Sequence, residues 1–127
     1  MDPYAPPAPN DLSDPQVQDW EKTWAVFSHL TLFALFIFPV PVVPALVMWL
    51  IRRHESPYAD DHGKEAVNFQ ITLLVYGVAC FLLSFICVGY VLGAIVAVFG
   101  YVFSVIAAIT AGKGRYYRYP MCLRFIG

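Results

Sequence analysis

Charge is the scarcest ingredient of this 127-residue chain. Asp, Glu, Lys and Arg make up 13% of it, about half the usual share in soluble domains. The net charge of −1 excludes the global basic field that holds nucleic acid. Catalytic fingerprints are missing as well. There is no GxSxG, no P-loop and no GxGxxG. The serines and cysteines of the apolar stretches have no neighbouring base in sequence. A non-enzyme without a cofactor is the expectation. Cys80, Cys87 and Cys122 form no CxxC and no Cys/His ligand spacing. They read as small packing residues and not as a zinc site or disulfide framework.

What the chain has in excess is apolar surface. Hydrophobic residues make up 59% and mean hydropathy is +0.61, which argues against both a soluble globule and disorder. No charged residue occurs across 23–51 or across 66–112. A spanning helix needs about 20 apolar residues. The second window holds two such helices and a turn. The first is interrupted by Pro39, Pro41 and Pro44.

These patterns predict an all-α integral membrane four-helix bundle built from two hairpins. Residues 1–14 read as a disordered proline-rich tail without a cleavable signal, residues 15–112 as the helical membrane domain, and 113–127 as a basic, aromatic interfacial tail. Helix one is expected over about 15–38, with Ser13 or Asp14 as N-cap and Pro15 in the first turn. The prolines of 39–44 force a turn. Helix two, about 42–53, spans on the order of 18 Å. It therefore crosses incompletely, tilts in a thinned bilayer, or forms half of a re-entrant hairpin. Ser56-Pro57 is another cap-plus-proline start for helix three, which is expected to reach about Ile86. Val88-Gly89 is the predicted turn, and helix four follows over about 90–111.

Topology follows from the cations. With the first window as a hairpin, all eight Lys and Arg fall on one side. The positive-inside rule then puts both termini in the cytoplasm, in a multi-pass protein of the plasma membrane. Trp20, Trp24, Trp49, Tyr116, Tyr117 and Tyr119 are the expected interfacial anchors. Arginines among the tail tyrosines suit anionic headgroups better than single-stranded nucleic acid. Small residues let helices approach closely in lipid. Gly77 and Ser84 on helix three, with Gly93 and Gly100 on helix four, are the expected seams. They serve packing within the chain or self-association.

Polar residues inside the apolar windows are the candidate site. Intramembrane amides must find partners, because hydrocarbon offers none. His29, Asn68 and Gln70 are expected to form an interhelical cluster, with a His29–Asn68 or His29–Gln70 bond tying helix one to helix three. At 100° per residue His62, Glu65 and Asn68 share a face. His62, Lys64 and Glu65 would form its cytoplasmic mouth. His54, Asp60, Asp61, His62 and Glu65 are metal-capable types. Their place in one loop beside Lys64 and two arginines reads as a solvated, salt-bridged segment, and no metal site is expected.

Three strings occur together in order: Trp24-Ala25-Val26-Phe27-Ser28-His29-Leu30, then His54 to Gln70 with His62-Gly63-Lys64-Glu65-Ala66-Val67-Asn68-Phe69-Gln70 at its heart, then Gly114-Arg115-Tyr116-Tyr117-Arg118-Tyr119-Pro120. Over roughly residues 20–126 the chain resembles a widespread prokaryotic family of small membrane proteins, catalogued as a domain of unknown function. More remotely, it is similar in outline to the twenty-kilodalton inner-envelope component of the chloroplast protein-import translocon, a four-helix membrane protein. Neither resemblance supplies a catalytic residue. The functional expectation is a non-catalytic scaffold or accessory subunit whose partners are the bilayer and a larger membrane complex or a second copy. The alternatives are a transport component with a polar path and a lipid-acting enzyme using His62 and Glu65.

Overall fold

The computed structural model describes residues 13–36 and 42–126. The first twelve residues of the expected tail, the last two of the expected helix one, 37–38, and the first part of the proline turn, 39–41, lie outside the described residues. Four α-helices occur among the described residues: α1 (Asp19–Leu30), α2 (Val42–Arg52), α3 (Pro57–Leu83) and α4 (Val88–Gly112). Two short 3₁₀ stretches follow α1 (Thr31–Phe36) and α3 (Ser84–Ile86). No strand is formed among the described residues, apart from a single antiparallel bridge between Ser13 and Arg115.

Local chemistry explains most of the boundaries. The Ser56 hydroxyl accepts from the Ala59 amide at 3.1 Å, and Pro57 occupies the first turn, where its missing N–H costs nothing. Pro44 sits equally safely in the first turn of α2. The expected start of helix one at Pro15 is corrected. Asp14 instead accepts from the Gln16 amide at 3.0 Å, making a local turn that competes with helix. Gln18 becomes the N-cap, its amide bonded to the Glu21 carboxylate at 2.6 Å. The far end of helix one also differs from expectation. The Thr31 hydroxyl takes the Ser28 carbonyl at 2.7 Å where the helix tightens to 3₁₀. The α3–α4 turn falls at Cys87, whose φ of 65° is left-handed. Gly89 follows because a Cβ there would lie 2.0 Å from the Cys80 carbonyl oxygen.

The helices are unequal, and this decides the shape. α1 packs against the first half of α3 and the last half of α4, and α2 against the first half of α3. Trp49 and Ala45 of α2 meet Val67 of α3. Ala25 of α1 joins Tyr58 of α3, Ala111 of α4 and Tyr116. Beyond Leu74 the α3–α4 hairpin stands bare: Phe81 is 65% exposed, Leu82 62% and Phe85 78%. Apolar surface on that scale is not left in water. α3 with its 3₁₀ extension and α4 are each long and apolar enough to cross a membrane.

Candidate functional site

The polar end of the bundle is where the sequence's unusual side chains meet. After Gly112 the chain turns back, with Gly114 at a φ of +76°, and runs along α3. Asp61, Glu65, Asn68 and Thr72, spaced four, three and four, form one helical face, and that face receives the tail. Asp61 holds the Arg118 guanidinium through two bonds of 2.6 and 2.7 Å. Glu65 accepts from the Tyr119 amide at 2.6 Å and pairs with Arg124 at 2.9 Å. Asn68 grips Ile126 twice, accepting from its amide at 2.8 Å and donating to its carbonyl at 2.9 Å. Thr72 accepts from the Leu123 amide at 2.9 Å. Among the described residues the tail beyond Arg115 has no strand neighbour, so side chains supply the partners its backbone requires.

Behind this clasp lies a line of buried donors and acceptors. His29 of α1 is fully buried. Its Nδ1 lies 2.8 Å from the Tyr119 hydroxyl, and its Nε2 lies 2.8 Å from His62 Nδ1. His62 Nε2 lies 2.9 Å from the Arg115 carbonyl. A carbonyl only accepts, so His62 carries its proton on Nε2. With both rings neutral, His62 Nδ1 then accepts from His29 Nε2–H. His29 Nδ1 in turn accepts from Tyr119, and every proton in the line has one direction. Ser104 of α4 donates to the His29 carbonyl, and Tyr58 donates to the Ala111 carbonyl at 2.7 Å. Aromatic faces close the surroundings: Tyr119 stacks on Phe69 at 3.7 Å, and Tyr116 lies parallel to His62 at 5.9 Å.

The expected His29–Asn68 and His29–Gln70 bonds are therefore corrected. Asn68 faces the tail, and Gln70 donates to Thr31 at 2.7 Å. The missed partners are His62 and Tyr119. The signal that could have found them is the pairing of two histidines with a tyrosine-rich tail, since buried imidazoles need neutral hydrogen-bonding neighbours. His62 and Glu65 are buried beneath the tail and do not line an open mouth, while Lys64 is half-exposed and pairs with Asp60 at 2.7 Å.

Among the expected anchors, Trp20 is exposed with the Arg52 guanidinium over its ring at 5.4 Å, and Trp24 donates to the Met48 carbonyl at 3.1 Å. Trp49 is buried and donates to Asp60 at 2.8 Å. Tyr116 and Tyr119 are buried and Tyr117 is half-buried. Burial and the carboxylates of Asp14 and Asp61 push Tyr116 up to about 12. Burial likewise holds Tyr119 well above the usual phenol range, so it stays a donor.

The glycine seams divide. Gly100 is packed, with a Cβ there meeting Leu73 at 2.8 Å. Among the described residues, Gly93 would meet only the Cys80 Cβ, at 3.8 Å, and Gly77 faces open space. Ser84 closes α3 by donating to the Phe81 carbonyl at 2.5 Å. Among the described residues, no three His, Cys, Asp or Glu side chains converge as metal ligands.

Long apolar helices joined to a small, internally hydrogen-bonded polar cap define a small helical membrane protein. The chain belongs to the magnetosome magnetite crystal formation protein family, whose model matches residues 20–126. Those residues coincide with the span over which the sequence resembles a prokaryotic membrane-protein family. Neither the curated proteins nor the solved structures provide a match.

Proposed function

We propose that this chain is a non-catalytic scaffold or accessory subunit of a membrane complex. In this reading four helices in two hairpins sit in a prokaryotic plasma membrane or a membrane derived from it. Both termini face the cytoplasm, and the tail-braced cap is the surface offered to a larger partner. In the setting that the family's description gives, the complex is one that forms magnetite crystals.

The observation that carries this reading is how the cap uses its polar groups. Asp60 pairs with Lys64, Asp61 with Arg118, Glu65 with Arg124, Glu55 with Arg52, and Asp19 with Lys22. Glu65 and Asn68 hold backbone of the tail. Carboxylates engaged in this way fix a shape. They are poorly placed to act as free acids and bases or to gather cations from solution.

The test is site-specific photocrosslinking in intact membranes from exposed cap positions such as His54 and Arg53. One reproducible partner should appear, and it should be lost when Asp61→Ala and Asn68→Ala together release the tail. The absence of any reproducible partner would remove the reading. In a host that builds such crystals, deleting the gene should change their size or number.

The Tyr119–His29–His62 line motivates a second reading, a transport component. Liposomes holding the pure protein would then conduct ions or move a substrate, and His29→Ala would alter it. The line ends on a backbone carbonyl under the cap, which favours the first reading.

A further inference from the structure

The shortness of α1 and α2 leaves a groove of about 660 Å³ along the bare half of the α3–α4 hairpin. Its walls are mostly apolar, with Leu73, Gly77, Phe81, Gly93 and Ala97 along its length and Tyr101 at the capped end. A Cβ on Gly77 would meet nothing within 4 Å among the described residues, so its missing side chain does not serve packing among them.

One polar group is stranded there. Gln70 is 2% exposed and lines the groove. Its orientation follows from its neighbour. The Thr31 hydroxyl gives its only proton to the Ser28 carbonyl, so towards Gln70 it must accept. The amide nitrogen of Gln70 therefore faces Thr31 at 2.7 Å, leaving Gln70 Oε1 buried with no partner among the described residues. An unmet buried acceptor is costly.

We propose that this groove binds one single-chain lipid, its acyl chain lying along the α3–α4 hairpin and its free glycerol hydroxyl donating to Gln70 Oε1. Depth and length both fit. Glu65 is the last charge on α3, and Gln70 lies about 7.5 Å further along the helix axis. That is the level of a glycerol backbone below its headgroup. From Gln70 to Ser84 the groove runs about 21 Å, enough for a chain crossing one leaflet of about 15 Å. Tyr101 brings a hydroxyl that can bind the ester oxygen of the same head. A second copy of this chain fits less well. The exposed side chains at that depth, Leu74, Val75, Val98 and Val102, carry no donor for Gln70.

The test uses the full chain, delipidated in detergent, with native mass spectrometry as readout. The probes are monopalmitin, palmitoyl lysophosphatidylglycerol and methyl palmitate, which has the chain and the ester but no donor. One equivalent of monopalmitin or of the lysolipid should stay bound, and whichever binds tighter identifies the headgroup. Methyl palmitate should bind roughly tenfold more weakly, the worth of one hydrogen bond. Gln70→Leu should erase that difference. Gly77→Leu, placed where space is open, should keep the fold and abolish binding of all three. Equal binding of monopalmitin and methyl palmitate to the unaltered chain overturns the proposal. So does a dimer that Gly77→Leu converts to monomer, which would assign the groove to a second copy.

Discussion

Among single residues, Tyr119 holds the most strategic position, because its hydroxyl supplies the donor that ends the buried line at His29 Nδ1. Tyr119→Phe keeps the stack on Phe69 but leaves His29 Nδ1 buried without a donor. The expected cost is about 1–3 kcal/mol, read as a lower thermal midpoint in detergent, with Tyr117→Phe as the milder control. Tyr116 makes a prediction in pH. Its folded value of about 12 stands above the ordinary phenol value of 10.0. The folded cap therefore holds this proton more tightly than the unfolded chain does. Its contribution to stability is complete below pH 10 and is lost as pH rises towards 12. Alkaline titration followed by tyrosinate absorbance should show cap loss in that window, and Tyr116→Phe should flatten this component. The need for partners was readable at Asn68, Gln70 and His29, since amides and imidazoles in an uncharged stretch must be satisfied. The identity of the partners was not. It depends on residues 115–126 returning along α3, and no periodicity in an irregular tail encodes that return.

At the scale of elements, boundaries were legible wherever a local device sets them. Ser56-Pro57 starts α3 as expected, and the uncharged window resolves into two helices of nearly the anticipated extent. The beginning of α1 was misread because Asp14-Pro15 offers two competing uses, an N-cap or a turn, and pairing of residues 13–14 with 114–115 selects the turn. The glycines show the same limit. In sequence Gly77, Gly89, Gly93 and Gly100 look alike, yet only the fold tells which of them touch a neighbour. Gly89→Ala would put its Cβ into the backbone of the preceding turn, and no side-chain movement relieves that clash. This variant should fail to form the hairpin, seen as loss of helicity and rapid proteolysis. Gly77→Ala, whose Cβ meets open space, should instead hold or gain up to about 1 kcal/mol through helix propensity. Circular dichroism melts of the two variants side by side check the contrast.

For the whole molecule, the inequality of its two hairpins governs how it would sit in a bilayer. From Ala66 to Ile86 the chain rises about 32 Å, which matches a hydrocarbon core of about 30 Å, whereas α2 rises only about 16 Å. One hairpin can therefore cross while the other cannot cross straight. The short pair braces half the length of the long one and supports the cap. Apolar length showed this asymmetry in sequence. The fold adds that α2 packs on α3 through Trp49, Ala45 and Val67. If the long hairpin crosses as proposed, Cys87, exposed at the hairpin turn, lies at the membrane face opposite Cys122, which is half-buried in the tail. Cys80 is buried between them. In sealed vesicles of known orientation, a membrane-impermeant maleimide added outside right-side-out vesicles should modify Cys87 and spare Cys122. Inverted vesicles should show the reverse, with Cys80 protected in both. If both cysteines react from one side, α3 and α4 do not cross as a pair. The long hairpin would then lie along the membrane surface, and its bare flank would need a different cover.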